Sequence, residues 1–215
     1  MPVPFRSRVD AGQQLASHLS QYRDRSDVIV LGLPRGGIPV AAEVAAALNA
    51  PLDAFLVRKL GVPGHEELAM GAIASGGLRI LNEDTVRELR IPAEAIDAVE
   101  AYERRELARR ERIYRGSQAP PEVTGKTVIL VDDGLATGST MKAAVQAVKQ
   151  DKPARVIVAV PVGAPDTCRE LQSMADDVVC AYMPRSFSAV GEWYRDFSQT
   201  TDAEVVELLS SGKPA

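Results

Sequence analysis

The chain has 215 residues, with 25 basic and 29 acidic side chains for a net charge of −4, and is 46% apolar and 25% charged. A composition this close to that of an ordinary globular protein excludes bulk disorder, and the length suits a single domain over residues 1–215 that can bury a sizeable core. The acidic balance, with no basic run flanked by aromatics, argues against a nucleic-acid partner, and aliphatic runs such as Val156 to Val160 fall far short of the roughly 18 residues of a membrane span.

The first residues, Met-Pro-Val-Pro-Phe-Arg-Ser-Arg, turn polar at once without the apolar stretch of a secretory signal, so a cytoplasmic protein is expected. Leu15, Leu19 and Tyr22, with Ala11 and Ala16, predict a first helix over about 9–23. Val28 to Leu33 reads as a buried strand, followed by a Pro-Arg-Gly-Gly turn and a helix whose Ile38, Ala41, Ala45 and Leu48 share a face. Leu52 to Val57 is a second strand. The stretch from Arg58 to Asn82 is glycine-rich and predicts an excursion, with a flexible loop over about 58–70 and then a hairpin turning at Gly76-Gly77.

Ala93 to Arg115 predicts a charged helix with Glu100/Arg104, Glu106/Arg110 and Glu111/Arg115 as i,i+4 pairs. Its thin apolar stripe places it on the surface or at a homodimer contact. Thr127 to Val131 is a strand, Ser139 to Gln150 a helix, Arg155 to Val162 a strand, Pro165 to Met174 a helix, Val178 to Tyr182 a strand and Ala203 to Ser210 a closing helix. Cys168 and Cys180 are too few for a disulfide framework, lack metal-ligand spacing and are expected to be buried thiols. Aliphatic strands alternating with helices imply an α/β fold, a Rossmann-like parallel sheet covered on both faces, which binds ligands beyond the carboxyl ends of its strands.

The loops after Leu33, Val57 and Val131 are therefore the places to look for chemistry. In Val128-Ile-Leu-Val-Asp132-Asp133-Gly134-Leu135-Ala136-Thr137-Gly138-Ser139-Thr140 a buried strand runs through a turn into a helix. Small and hydroxyl residues at a helix start offer free N–H groups and the positive end of the helix dipole to a phosphate. Asp132 and Asp133, at the strand's carboxyl end, would face ligand hydroxyls or a metal, and two adjacent carboxylates there are costly without a partner. A phosphate cup beside paired carboxylates describes a phosphorylated sugar. No Lys follows the last glycine, so the loop is not a Walker A motif.

These thirteen residues resemble the phosphoribosyl pyrophosphate (PRPP) signature of the type I phosphoribosyltransferases. The resemblance implies that Asp132 and Asp133 hold the ribose 3- and 2-hydroxyls and that Ala136, Thr137, Gly138, Ser139 and Thr140 bind the 5-phosphate. The form Asp-Asp-x-Leu-Ala-Thr-Gly is most similar to the adenine-type enzymes, and Ala136 stands where the hypoxanthine-guanine type carries an aspartate. Arg35, Gly36 and Gly37, in the loop after the first core strand, would bind pyrophosphate, although Pro-Arg-Gly-Gly alone is also an ordinary strand-to-helix turn. Arg58 and Lys59 open a stretch similar to the family's flexible hood loop and would meet the same pyrophosphate. His65 in that stretch reads as solvent-exposed, and His18 carries no reading.

The resemblance further implies a core over about 26–182 and a small hood from about 1–25 and 183–215, built to read the acceptor. Four of the ten aromatic residues fall in Phe187 to Phe197, with Trp193 and Tyr194 as candidate acceptor contacts; the same rings could merely anchor the tail. Implied is a Mg²⁺-dependent transfer of 5-phosphoribosyl from PRPP to a nitrogenous small-molecule acceptor, with Asp132, Asp133, Arg35 and Lys59 as catalytic residues and no protein metal ligand identified. Two other readings stay open: a PRPP- or nucleotide-sensing regulator on the same fold, and a metal-dependent phosphosugar hydrolase or lyase.

Overall fold

The computed structural model describes residues 4–211 of the chain. Strands β1 (Val28–Gly32), β2 (Leu52–Ala54), β6 (Thr127–Val131), β7 (Arg155–Val162) and β8 (Asp177–Tyr182) form one sheet in the order β2-β1-β6-β7-β8, parallel throughout. Alternate side chains of a strand face opposite sides, and both sides are covered. Val28, Val30, Ile129, Val131 and Ile157 pack with α1 (Arg8–Ser17), α2 (Gly37–Leu48), α4 (Ala93–Arg115) and α7 (Asp202–Ser211). Ile29, Leu31, Val128, Leu130, Val156 and Val158 pack with α5 (Ser139–Gln150) and α6 (Pro165–Gln172). Each such fully buried aliphatic stabilises the fold by roughly 1.5–3 kcal/mol.

The chain leaves β1 toward β2 on one side, and β6 returns on β1's other side. The loops after β1 and β6 therefore emerge beside each other at the point where the strand order reverses. Their register is fixed by the pairs Val28↔Thr127 through Gly32↔Val131.

Between β2 and α4 the structure departs from the sequence reading. Strands β3 (Val57–Val62), β4 (His65–Ala74) and β5 (Leu78–Leu81) form a separate antiparallel sheet in the order β3-β4-β5. Residues 58–70, expected as a flexible loop, are thus a hairpin turning at Gly64, whose φ of 78° suits glycine. Leu60, Val62, Met70 and Ile73 are buried. Their alternation with small residues in a glycine-rich stretch masked the strands, whereas the second hairpin turns at Gly76-Gly77 as expected. A short helix, α3 (Glu83–Glu88), capped by Asn82, follows without having been anticipated.

This antiparallel sheet is the hood. The N-terminal part of the expected terminal hood instead supplies α1, whose Leu15 and Leu19 are buried in the main core, followed by a 3-10 turn at Ser20–Tyr22. Val205 and Leu209 of α7 join the same core. Residues 1–3 and 212–215 of the expected hood lie outside the described residues.

Helix α4 matches its expected bounds and buries Ile96, Leu107 and Tyr114. Glu100 pairs with Arg104 at 2.6 Å and also with Arg79, and Glu111 pairs with Arg115 at 3.4 Å. Glu106 is met by Arg109 rather than by Arg110. The Arg115 side chain is only 4% exposed because it crosses to Asp53 and the Ala54 carbonyl, tying the end of α4 to β2. Cys168 is buried and Cys180 is half-buried, at the outer strand β8. Among the described residues no helix is long and apolar enough to cross a membrane.

Candidate active site

The loop after β6 begins with Asp132 and Asp133. The Asp133 amide donates to Asp132 Oδ1 at 2.8 Å, and Arg8 Nε of α1 donates to Asp133 Oδ2 at 2.9 Å. From the C-terminal segment, Tyr194 donates its hydroxyl to the Asp133 carbonyl at 2.6 Å. Burial and the neighbouring Asp133 charge hold the Asp132 carboxyl well above the usual carboxylate range. Burial also raises Asp133, and the Arg8 guanidinium opposes that shift.

The loop then crosses to β7: the Leu135 amide donates to the Val162 carbonyl at 2.9 Å and the Ala164 amide to the Leu135 carbonyl at 2.8 Å. Thr167 of α6 donates its hydroxyl to the Ala136 carbonyl at 2.6 Å, fixing the start of the expected phosphate cup. Gly138 caps α5 with a φ of 68°, a left-handed conformation that favours glycine. Thr137, Ser139 and Thr140 are exposed, and the hydroxyls of Thr137 and Ser139 lie 3.4 Å apart. The first amides of α5 lack intrahelical acceptors, so this end presents donors and the positive end of the helix dipole, as a phosphate requires.

Beside it runs the loop after β1. A Cβ on Gly36 would lie 2.0 Å from Asp133 Oδ2, and one on Gly37 would lie 2.7 Å from the Val131 carbonyl. The two loops are therefore in direct contact. The Pro34–Arg35 peptide is cis. The Gly37 amide, expected to face an anion, instead donates to the Leu33 carbonyl at 3.0 Å. That bond closes the turn and occupies the Gly37 amide. Arg35 is half-buried, with Nη1 3.9 Å from Asp202 Oδ1 at the start of α7. Tyr114 of α4 donates to that same Asp202 oxygen at 2.7 Å, and burial together with this bond pushes the Tyr114 hydroxyl up to about 12.

Arg58 and Lys59 are adjacent on β3, so their side chains diverge. Arg58 pairs with Glu103 of α4, its Nε 2.6 Å and its Nη2 2.5 Å from Oε2. Lys59 is exposed and borders a cavity of about 740 Å³ between the antiparallel sheet and α5, which Ser139 and Thr140 also line. A small cleft lined by Pro34, Arg58, Arg110 and Thr140 joins the three loops. Arg110 is a cation here that the sequence had assigned to a pair with Glu106; only the tertiary fold could reveal it. His65 is exposed.

Of the two aromatic candidates, Tyr194 is buried, its ring 5.4 Å from that of Phe5 and 5.0 Å from that of Phe197. It anchors the tail to α1's entry and to Asp133 and has no open face for a ligand. Trp193 is half-buried, its ring 5.3 Å from Tyr182 and stacked at 6.4 Å on Phe187, and its indole N–H is buried without a partner among the described residues.

A family model described as the phosphoribosyl transferase domain matches residues 6–191. A Mycobacterium tuberculosis (strain H37Rv) protein named "Putative phosphoribosyl transferase Rv0571c" is 51% identical over 206 residues, which make up 95% of this chain and 46% of that protein. This chain thus spans about half the length of the mycobacterial relatives it matches. The "Bifunctional protein PyrR" of Chloroflexus aurantiacus is 30% identical over 153 residues, 71% of this chain and 64% of that one. Among solved structures, that of TT1426 from Thermus thermophilus superimposes with a TM-score of 0.88 at 40% identity, covering 98% of this chain and 99% of that one.

Proposed function

Because the chain belongs to the phosphoribosyl transferase family, we propose that it transfers a 5-phosphoribosyl group from PRPP to a nitrogenous acceptor and releases pyrophosphate. The observation that carries this reading is the contact between the two loops at the switch point. A carboxylate pair, a helix start rich in hydroxyls and an arginine-bearing turn lie on two loops in contact with each other, which suits a phosphorylated sugar with a second anionic group.

Asp132 and Asp133 accept hydrogen bonds from the ribose 2- and 3-hydroxyls and face the positive charge that develops on the ring as the anomeric bond breaks. Ala136 to Thr140 hold the 5-phosphate, fixing the sugar so that displacement proceeds from a set orientation. Arg35 and Gly36 meet the departing pyrophosphate, and Lys59 reaches it from β3. Mg²⁺ takes oxygen ligands and keeps several waters, so an ion arriving with the substrate would be held mainly by substrate oxygens and water. When bound, Mg²⁺ neutralises pyrophosphate charge. Trp193, with its unpartnered N–H, is the candidate to meet the acceptor; Tyr194 acts as its anchor.

The test is calorimetric titration of PRPP with Mg²⁺ into the wild type and into Asp132→Asn/Asp133→Asn, followed by a screen of purine and pyrimidine bases for pyrophosphate release. Binding that the double variant loses, with pyrophosphate release in the presence of a base, is the expected outcome. PRPP binding without turnover on any acceptor would replace the transferase with a PRPP sensor, and no binding by the wild type would overturn both.

A further inference from the structure

Arg8 opens α1, where a cation faces the positive end of the helix dipole and is disfavoured. Three contacts hold it there. Its Nε donates to Asp133 Oδ2 at 2.9 Å, its Nη1 donates to the Ser198 carbonyl at 2.6 Å, and its guanidinium carbon lies 4.0 Å above the centre of the Phe197 ring. The two partners of the ion pair are 12% and 15% exposed at their side chains, so the pair is shielded far better than a surface salt bridge. A Cβ on Gly36 would come within 3.3 Å of Arg8 Nε, which places the guanidinium over the junction of the two loops.

Phe197 and Ser198 belong to the segment whose Tyr194 also bonds the Asp133 carbonyl, and Phe5, just before α1, pairs with Tyr194 as an isolated bridge. Asp133 is thus gripped at its side chain by the N-terminal helix and at its backbone by the C-terminal segment, and the two grips are joined through Arg8 on Phe197. We propose that Arg8 is a positioning residue for the transfer described above: it holds the Asp133 carboxylate in one orientation, and docking of residues 194–198 against α1 is what keeps Arg8 in place. The proposal rests on the reading of Asp133 as a ribose-binding group. It makes the competence of the sugar site depend on the two ends of the chain meeting.

The groups that face Asp133 are Asp132 from its own loop, Arg8 from α1 and the Tyr194 hydroxyl from the tail; Arg8 is in turn within electrostatic reach of Asp196 and Glu204. Removing Arg8 leaves the pair without its cation, which shifts the carboxyl titration in any case; a loss of PRPP affinity in a folded variant is the readout that a merely structural ion pair would not move. The experiment follows the aspartate side-chain carboxyl resonances by NMR through a pH titration in the wild type, Arg8→Met, Arg8→Lys and Phe197→Leu, and in parallel measures PRPP affinity with Mg²⁺ at pH 7.5. Arg8→Met is expected to move the titration of the Asp132/Asp133 pair to higher pH and to weaken PRPP by about tenfold or more, with Arg8→Lys restoring most of both. Phe197→Leu is expected to shift the titration in the same direction by less, and it serves as the decisive variant should Arg8→Met not fold. Either an unchanged carboxyl titration or a shifted titration with wild-type PRPP affinity in the folded variants overturns the proposal. If the wild type binds no PRPP, the transferase reading falls by itself, while the titration still decides whether Arg8 governs the pair.

Discussion

The backbone of Gly36 passes so close to Asp133 that a side chain's first carbon would lie 2.0 Å from Oδ2. Its φ and ψ of −60° and −32° are open to any residue, so glycine serves here for space alone. Gly36→Ala should therefore force the two loops apart and displace the Asp133 carboxylate. We expect PRPP affinity to fall by more than tenfold, with a destabilisation of about 1–3 kcal/mol from overpacking. Calorimetry and denaturant unfolding read the two effects separately; an alanine variant with wild-type affinity would mean that the contact between the loops is irrelevant to binding.

Tyr194 offers a gentler perturbation of the same loop. Tyr194→Phe keeps the ring against Phe5 and Phe197 but deletes the bond to the Asp133 carbonyl. Loss of one such bond costs about 0.5–1.5 kcal/mol. Proteolysis of the C-terminal segment should accelerate, because its docking is weakened at the residue that joins it to the sheet's edge. Unchanged cleavage and stability would show that the hydroxyl is dispensable.

The parallel sheet, with the ligand loops at its carboxyl edge, was legible because fully buried parallel strands are written as unbroken aliphatic runs. Val128 to Val131 and Val156 to Val160 leave little alternative, and the bounds of β6, β7, α4 and α5 follow from them and from helical periodicity. Of the antiparallel hood only the hairpin at Gly76-Gly77 was legible, since Gly61, Gly64 and Gly71 read as loop punctuation. Gly71 is in fact a strand residue whose Cβ would lie 2.3 Å from the Ile80 carbonyl on β5. At the site, Asp132, Asp133 and the cup stood out as local sequence. Arg8 reaches Asp133 and Arg110 reaches the cleft beside Thr140, both from distant helices; Arg110 read only as an i,i+4 partner of Glu106, and nothing local ties Arg8 to the carboxylate pair.

A buried carboxylate pair is destabilising, and its pH dependence has a definite sign. The Asp132 carboxyl is raised in the folded state above its unfolded value of about 3.9. Between those two values the folded chain keeps a proton that the unfolded chain has released. Stability therefore falls as pH rises through that window and stays reduced above it. Asp132→Asn removes the charge and should be more stable than the wild type at pH 7.5, with the difference shrinking toward zero near pH 4. For a domain of this size each kcal/mol gained appears as about 2–4 °C in Tm. PRPP turnover should be lost in the same variant, the usual exchange between function and stability at a strained site. Thermal melts from pH 4 to 8 provide the check: a variant no more stable at neutral pH would deny that the native carboxylate is held against its preference.

The adjacent cations of β3 should separate cleanly on mutation. Arg58 is partly buried and bound to Glu103 through two nitrogens, so its removal leaves a carboxylate that is itself only 16% exposed without its partner. Arg58→Ala should therefore cost roughly 1–3 kcal/mol of stability by loosening the hood sheet from α4. Its effect on PRPP is expected to be secondary to that loosening. Lys59 projects to the other face, toward the cavity it shares with Ser139 and Thr140 at the cup. Lys59→Ala, at an exposed position, should cost less stability than Arg58→Ala. If Lys59 meets pyrophosphate as the charge departs, kcat should drop by about tenfold or more, with a smaller change in affinity, because the contact strengthens as the transition state is approached. Ribose 5-phosphate, which carries no pyrophosphate, should bind the wild type and Lys59→Ala alike. The reverse pattern, with Lys59→Ala unstable and Arg58→Ala impaired only in turnover, would exchange the roles of the two residues and place the anion on the α4 side of the hairpin.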